Sequence, residues 1–78
     1  MIMDTLPRPA QERLGETLRF HREEQGMTQT EVAVDANLTR GYLSQLESGL
    51  HSPSLHTVRQ LSLALDVELF KLIRDAAL

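Results

Sequence analysis

The stretch Thr28-Gln29-Thr30-Glu31-Val32-Ala33-Val34-Asp35-Ala36-Asn37-Leu38-Thr39-Arg40-Gly41-Tyr42-Leu43-Ser44-Gln45-Leu46-Glu47-Ser48-Gly49 decides the fold. Its first four residues fit a capping box: the Thr28 hydroxyl accepts from the Glu31 amide, and the Glu31 carboxylate accepts from the Thr28 amide. A helix therefore begins about Gln29. Val32, Ala33 and Ala36 form its inward face, where small side chains let another helix approach closely. Asn37, the non-glycine residue that best tolerates positive φ, stops it. Thr39 is placed to cap a further helix from Arg40 to about Glu47. With only two or three residues between them, the two helices turn sharply against each other.

Toward the N-terminus, residues 11–25 contain no Pro and no β-branched run, and Leu14, Leu18 and His21 recur at the spacing of one helical face. This predicts a helix ended by Gly26 in the left-handed position. Pro7 and Pro9 read as the limit of ordered structure, leaving residues 1–10 as a loose arm before a domain spanning 11–78. Toward the C-terminus, Ser48 to Pro53 is the one real loop. Either Ser54, or Ser52 with Pro53 at the first helical position, caps a fourth helix carrying Leu55, Val58, Leu61, Ala64 and Leu65. Asp66 ends it. A fifth helix from about Glu68 shows Leu69, Leu72, Ile73 and Ala76, with Phe70 and Ala77 widening the apolar stripe. No stretch alternates like a strand, so the expected class is all-α with five helices.

A chain of 78 residues builds one core and not two domains. It has no Cys, which excludes disulfides, thiolate metal sites and a Cys nucleophile. One Tyr, two Phe and no Trp leave few platforms for stacking single-stranded bases. Eight Lys and Arg against eleven Asp and Glu give a net charge of -3, the wrong sign for coating nucleic acid indiscriminately. No acid–base dyad, nucleophile constellation or Gly-rich phosphate loop is present, so neither an enzyme, a cofactor nor a metal is expected. No run reaches the length of a membrane span, and residues 1–5 lack the features of a signal peptide; the expected location is the cytoplasm.

At roughly 100° per residue, the third helix gathers Tyr42, Leu43 and Leu46 on its core side. Arg40, Gly41, Ser44, Gln45 and Ser48 point the other way, and none is acidic. Arg bridges G O6/N7, Gln pairs with A N6/N7, and Ser adapts to either. Gly41 costs about 1 kcal/mol of helix propensity, which is explained if something approaches the backbone closely. By composition alone this face suits a DNA groove and a solvated surface equally well.

The arrangement around it resembles the Cro/repressor-type (XRE, lambda-repressor-like) DNA-binding family. The resemblance rests on Leu14-Gly15, Leu18-Arg19, Arg22, Gly26-Met27-Thr28-Gln29, Val32-Ala33, Leu38 through Gly49, Pro53-Ser54-Leu55 and Leu63-Ala64-Leu65-Asp66-Val67. It implies a compact five-helix domain that lays the helix 40–47 in the major groove of double-stranded DNA. By resemblance, Arg40, Gly41, Ser44 and Gln45 face base edges. Gln29, Thr39, Tyr42, His51 and Ser52 touch the sugar-phosphate backbone, Gln29 at the opening of the second helix, and Arg22 and Glu47 form a structural ion pair. Controller proteins of restriction-modification systems and small phage or plasmid repressors are members of this kind.

Departures from the family pattern are informative. Asn37 and Asp66 stand where Gly is frequent; both tolerate the left-handed conformation. His21 fills an aliphatic slot, so either Phe20 rotates inward or His21 is a hydrogen-bonded core residue, with no carboxylate expected beside it. His51 replaces a basic loop residue, which implies weak non-specific affinity.

So little positive charge binds a half-site weakly, and a homodimer on a palindrome is the expected working form. The fifth helix has apolar surface to spare. Leu69, and with it Ile73, is read as packing within the protomer, but Ile73 stays among the interface candidates Phe70, Leu72, Ile73, Ala76 and Leu78. In some family activators, acidic residues on the exposed side of the second helix touch RNA polymerase; the matching positions here are Thr30 and Val34, which favours repression, with Glu31 and Asp35 as alternative acidic contacts. The alternative is a protein-interaction module of the same fold, such as an antitoxin partnered by a toxin.

Overall fold

A computed structural model describes residues 6–78. These form five helices and no strand: α1 (Arg8–Glu24), α2 (Gln29–Asp35), α3 (Arg40–Glu47), α4 (Leu55–Ala64) and α5 (Leu69–Asp75).

Local chemistry sets most of the boundaries. At α2 both halves of the capping box form, Thr28 Oγ1 accepting from the Glu31 amide at 3.1 Å and Glu31 Oε1 accepting from the Thr28 amide at 2.8 Å. Thr39 Oγ1 accepts from the Tyr42 amide to start α3. Ser54 Oγ accepts from the Thr57 amide to start α4, so Ser54 is the cap and Ser52 is not. Asn37 and Asp66 adopt φ of 59° and 55° and reverse the chain after α2 and α4. Amides just beyond them, Leu38 to Ala33 O at 2.8 Å and Val67 to Ser62 O at 3.0 Å, satisfy otherwise unpaired helix carbonyls.

The start of α1 departs from the expectation. It begins at Arg8 rather than about Gln11, with Pro7 as its N-terminal flank and Pro9 in its first turn. There a missing N–H breaks no intrahelical bond, and a fixed φ favours the helix. Leu6 is half-buried against the core, so residues 6–10 belong to the folded body. Residues 1–5 of the proposed arm lie outside the described residues.

Leu14 and Leu18 of α1, Val32, Ala33 and Ala36 around α2, Leu43 and Leu46 of α3, and Val58, Leu61, Leu65, Leu72 and Ala76 make one continuous core. α1 packs closely on α3 at Gly15, where a Cβ would press into the carbonyl oxygens of Leu46 and Glu47. His21 is buried and Phe20 stays outside, so the aliphatic slot is filled by the imidazole. Its Nε2 lies 3.1 Å from Asp75 Oδ2, the carboxylate that the sequence did not reveal. Desolvation against α1 opposes ionisation of Asp75, but hydrogen bonds from His21 and Lys71, with Arg74 nearby, outweigh it and hold the carboxyl below its usual range.

Two assignments to a dimer face fail here. Leu72 and Ala76 are fully buried in the protomer's own core, because α5 turns that stripe inward onto the bundle. Ile73 is half-buried, and Phe70 and Leu78 remain exposed.

Candidate nucleic-acid interface

α3 is held by two buried leucines, Leu43 and Leu46, and by half-buried Tyr42, which packs against the core. The opposite face carries exposed Arg40, Gly41 and Gln45, with Ser44 half-buried at its margin. Among the described residues Arg40 makes no ion pair, so its guanidinium is available to an outside acceptor. A Cβ on Gly41 would meet nothing within 4 Å. The fold therefore does not require glycine there, and its helix-propensity cost of about 1 kcal/mol is not offset by packing within the protomer.

Glu47 lies on the same short helix, but its side chain is only 4% exposed. Arg22 Nε and Nη2 donate to its two oxygens at 2.8 and 3.1 Å, and Arg22 Nη1 donates to Met27 O at 3.0 Å. The Glu47 carboxylate raises the Arg22 pKa above its ordinary value against the opposing effect of burial. Gln29 Nε2 donates to Glu47 Oε1 at 3.0 Å. Sequence spacing does not reveal this contact: the first residue of α2 is tied to the last of α3, leaving Gln29 one amide hydrogen and its carbonyl oxygen for other partners. The single carboxylate of α3 is thus withdrawn from the exposed face and neutralised.

Residues flanking α3 complete one edge of the molecule. Thr39 uses its oxygen as a cap and keeps its hydroxyl hydrogen. Exposed His51 lies beside Tyr42, ring centroids 5.8 Å apart. Ser52 is already engaged, its Oγ accepting from the Leu6 amide at 3.1 Å. From Asn37 to Gln60 the only charged residues are Arg40, Glu47 and Arg59.

A capped helix, a left-handed residue and a second helix exposing polar side chains form a helix-turn-helix, and a helix-turn-helix family model (HTH_3) matches residues 18–72. The chain belongs to the HTH_3 family. Among curated HTH_3-like relatives it is 33% identical over 60 residues to the HTH-type transcriptional regulator SlrR of Bacillus subtilis (strain 168), covering 76% of this chain and 40% of SlrR. Less than half of that relative's length is therefore represented. Among solved structures, the restriction-modification controller protein C.AhdI from Aeromonas hydrophila superposes with a TM-score of 0.77 at 32% identity, over 80% of this chain and 94% of its own. The biofilm master regulator SinR, solved in complex with DNA, superposes with a TM-score of 0.73 at 31% identity, over 77% of this chain and 97% of its own. The all-α fold is shared with these regulators. No helix among the described residues is long and apolar enough to cross a membrane.

Proposed function

We propose that this protein is a sequence-specific transcriptional regulator that binds a palindromic operator as a homodimer, with α3 in the major groove. The observation that carries this reading is the exposed α3 face of Arg40, Gly41 and Gln45, cleared of negative charge because Glu47 is buried against Arg22. Arg40 and Gln45 supply the hydrogen-bonding forks that discriminate guanine and adenine, and Ser44 adapts to its neighbours. The open space over Gly41 admits a base edge or methyl group. Gln29, Thr39, Tyr42, His51 and Ser52 contact the DNA backbone and set register. The absence of carboxylates at Thr30 and Val34 favours repression by occlusion, in the cytoplasm where the DNA lies.

Size supports two copies. The Cα atoms span 28 × 23 × 19 Å, whereas successive major-groove half-sites are about 34 Å apart, so one protomer reads one half-site. Leu72 and Ala76 are buried within the protomer, so the proposed interface lies on the outer side of α4 and α5. Leu63 and Phe70 are 72% and 70% exposed and line one hollow with Val67 and Leu69. Exposed apolar side chains gathered in this way mark an association surface.

The test is fluorescence anisotropy with duplex DNA from immediately upstream of the coding gene, comparing wild type with Arg40→Ala and Gln45→Ala. Cooperative, salt-sensitive binding is expected, weakened by about 1–3 kcal/mol per lost base contact. Equal binding by all three proteins overturns the assignment of α3.

A further inference from the structure

Residues 6–12 lie outside the family match at 18–72, yet they converge on the loop between α3 and α4. Leu6 N–H donates to Ser52 Oγ at 3.1 Å, across 46 positions of sequence. Gln11 Nε2 donates to Leu6 O at 2.8 Å and fixes the same residue from its other side. Gly49 opens the loop with φ of 75°, and a Cβ there would lie 2.8 Å from Glu12 Cγ and 2.9 Å from Glu12 Cα. The N-terminal part of α1 is therefore seated directly on the loop at Glu12.

The two bonded residues share a constraint. Leu6 precedes Pro7 and Ser52 precedes Pro53, and a residue before proline is held sterically in the extended region. Pro53 is itself fully buried, which anchors the loop's exit. The backbones that carry donor and acceptor are thus restricted before they meet, which lowers the conformational freedom lost in forming the bond. Ser52 Oγ uses one lone pair on the Leu6 N–H and keeps its hydroxyl hydrogen to donate to another acceptor.

We propose that Leu6 is a positioning residue for DNA binding: its backbone N–H braces the 48–54 loop and aims the Ser52 hydroxyl at a DNA phosphate. This deepens the regulator reading and rests on it for the identity of the acceptor. The brace itself is a property of the free protein.

Leu6→Pro removes the N–H, and Leu6→Ala removes the side chain while keeping the N–H. The first readout is amide exchange of Leu50, whose N–H is bonded to Gln45 O at 3.0 Å within the loop's first turn. Faster exchange is expected in Leu6→Pro than in Leu6→Ala; equal rates in the two variants overturn the brace. The second readout is affinity for a duplex selected by the wild-type protein from a random pool, alone and combined with Ser52→Ala. Leu6→Pro is expected to weaken binding about fivefold, the equivalent of one net hydrogen bond, and to add nothing in the Ser52→Ala background. Additive losses mean independent roles and overturn the coupling. If no duplex is selected, the regulator reading fails while the exchange comparison still decides the brace.

Discussion

Glu47, the one carboxylate of α3, accepts three hydrogen bonds from two residues on two other helices and so ties α3 to both of them. Replacing it with Ala strands a guanidinium whose side chain is 13% exposed. Breaking such a pair from one side costs about 3–5 kcal/mol, whereas removing both charges costs less. Urea denaturation of Glu47→Ala, Arg22→Met and the double variant is expected to show the double more stable than Glu47→Ala alone. Asp75 gives a second residue-scale prediction. Its folded pKa lies below the unfolded value, so its contribution to stability is complete above the ordinary carboxylate range and is lost as pH falls through the folded value. Thermal midpoints measured downward from pH 6 should fall less steeply in Asp75→Asn than in wild type across that acidic window. The two pairs differ in how visible they were. Arg22 and Glu47 stand out through the family resemblance, while His21 and Asp75, separated by 54 positions, meet only because α5 returns its last turn against α1. Periodicity places His21 on the inward face but carries no information about which helix end arrives there.

At the scale of elements, two helical glycines make opposite predictions for the same substitution. Gly15→Ala drives a Cβ into the backbone carbonyls at the end of α3, where no side-chain rotation relieves it. Overpacking of this kind costs about 1–3 kcal/mol, more than the helix-propensity gain of about 1 kcal/mol. The melting temperature is expected to fall. Gly41→Ala meets open space, so the propensity gain is retained and the free protein should melt higher, while with α3 in its proposed major-groove position DNA affinity should drop because the methyl group stands between helix and DNA. Calorimetry and anisotropy on the two variants check both signs. The helix boundaries were legible where a side chain encodes them: Thr28 with Glu31, Thr39, Ser54, and the left-handed Asn37 and Asp66 all act through bonds or φ values tied to residue type. The start of α1 is not legible in the sequence because proline has two meanings. It ends a helix from within but favours one at the first turn, and only the seat of Leu6 on the core shows which applies. The inward turn of Leu72 and Ala76 was hidden for a related reason: an apolar stripe broader than one face does not say which edge meets the bundle.

For the whole molecule, a net charge of -3 is compatible with a DNA-binding face because of where the charges fall. Glu47 is neutralised by burial beside Arg22, and the 48–60 segment holds only Arg59 in charged form, leaving α3 with one unpaired cation. Long-range attraction to phosphates is correspondingly small, so the proposed operator binding draws its affinity from base contacts and from joining two half-sites. On that proposal the dimer face matters to function as much as α3. Leu63 and Phe70 lie on the opposite side of their helices from buried Leu61 and Leu72, so a charge can be placed there without entering the core. Phe70→Asp is expected to sediment as a monomer with an unchanged helical circular dichroism spectrum, to bind a single half-site as wild type does, and to lose cooperative binding to the palindrome. Leu72→Asp, which buries a charge in the core, is expected instead to unfold the domain. A Phe70→Asp protein that remains dimeric locates the interface away from the α4–α5 face. A monomer that still binds the palindrome cooperatively removes the protein–protein contact as the source of the cooperativity and leaves distortion of the DNA between half-sites to supply it.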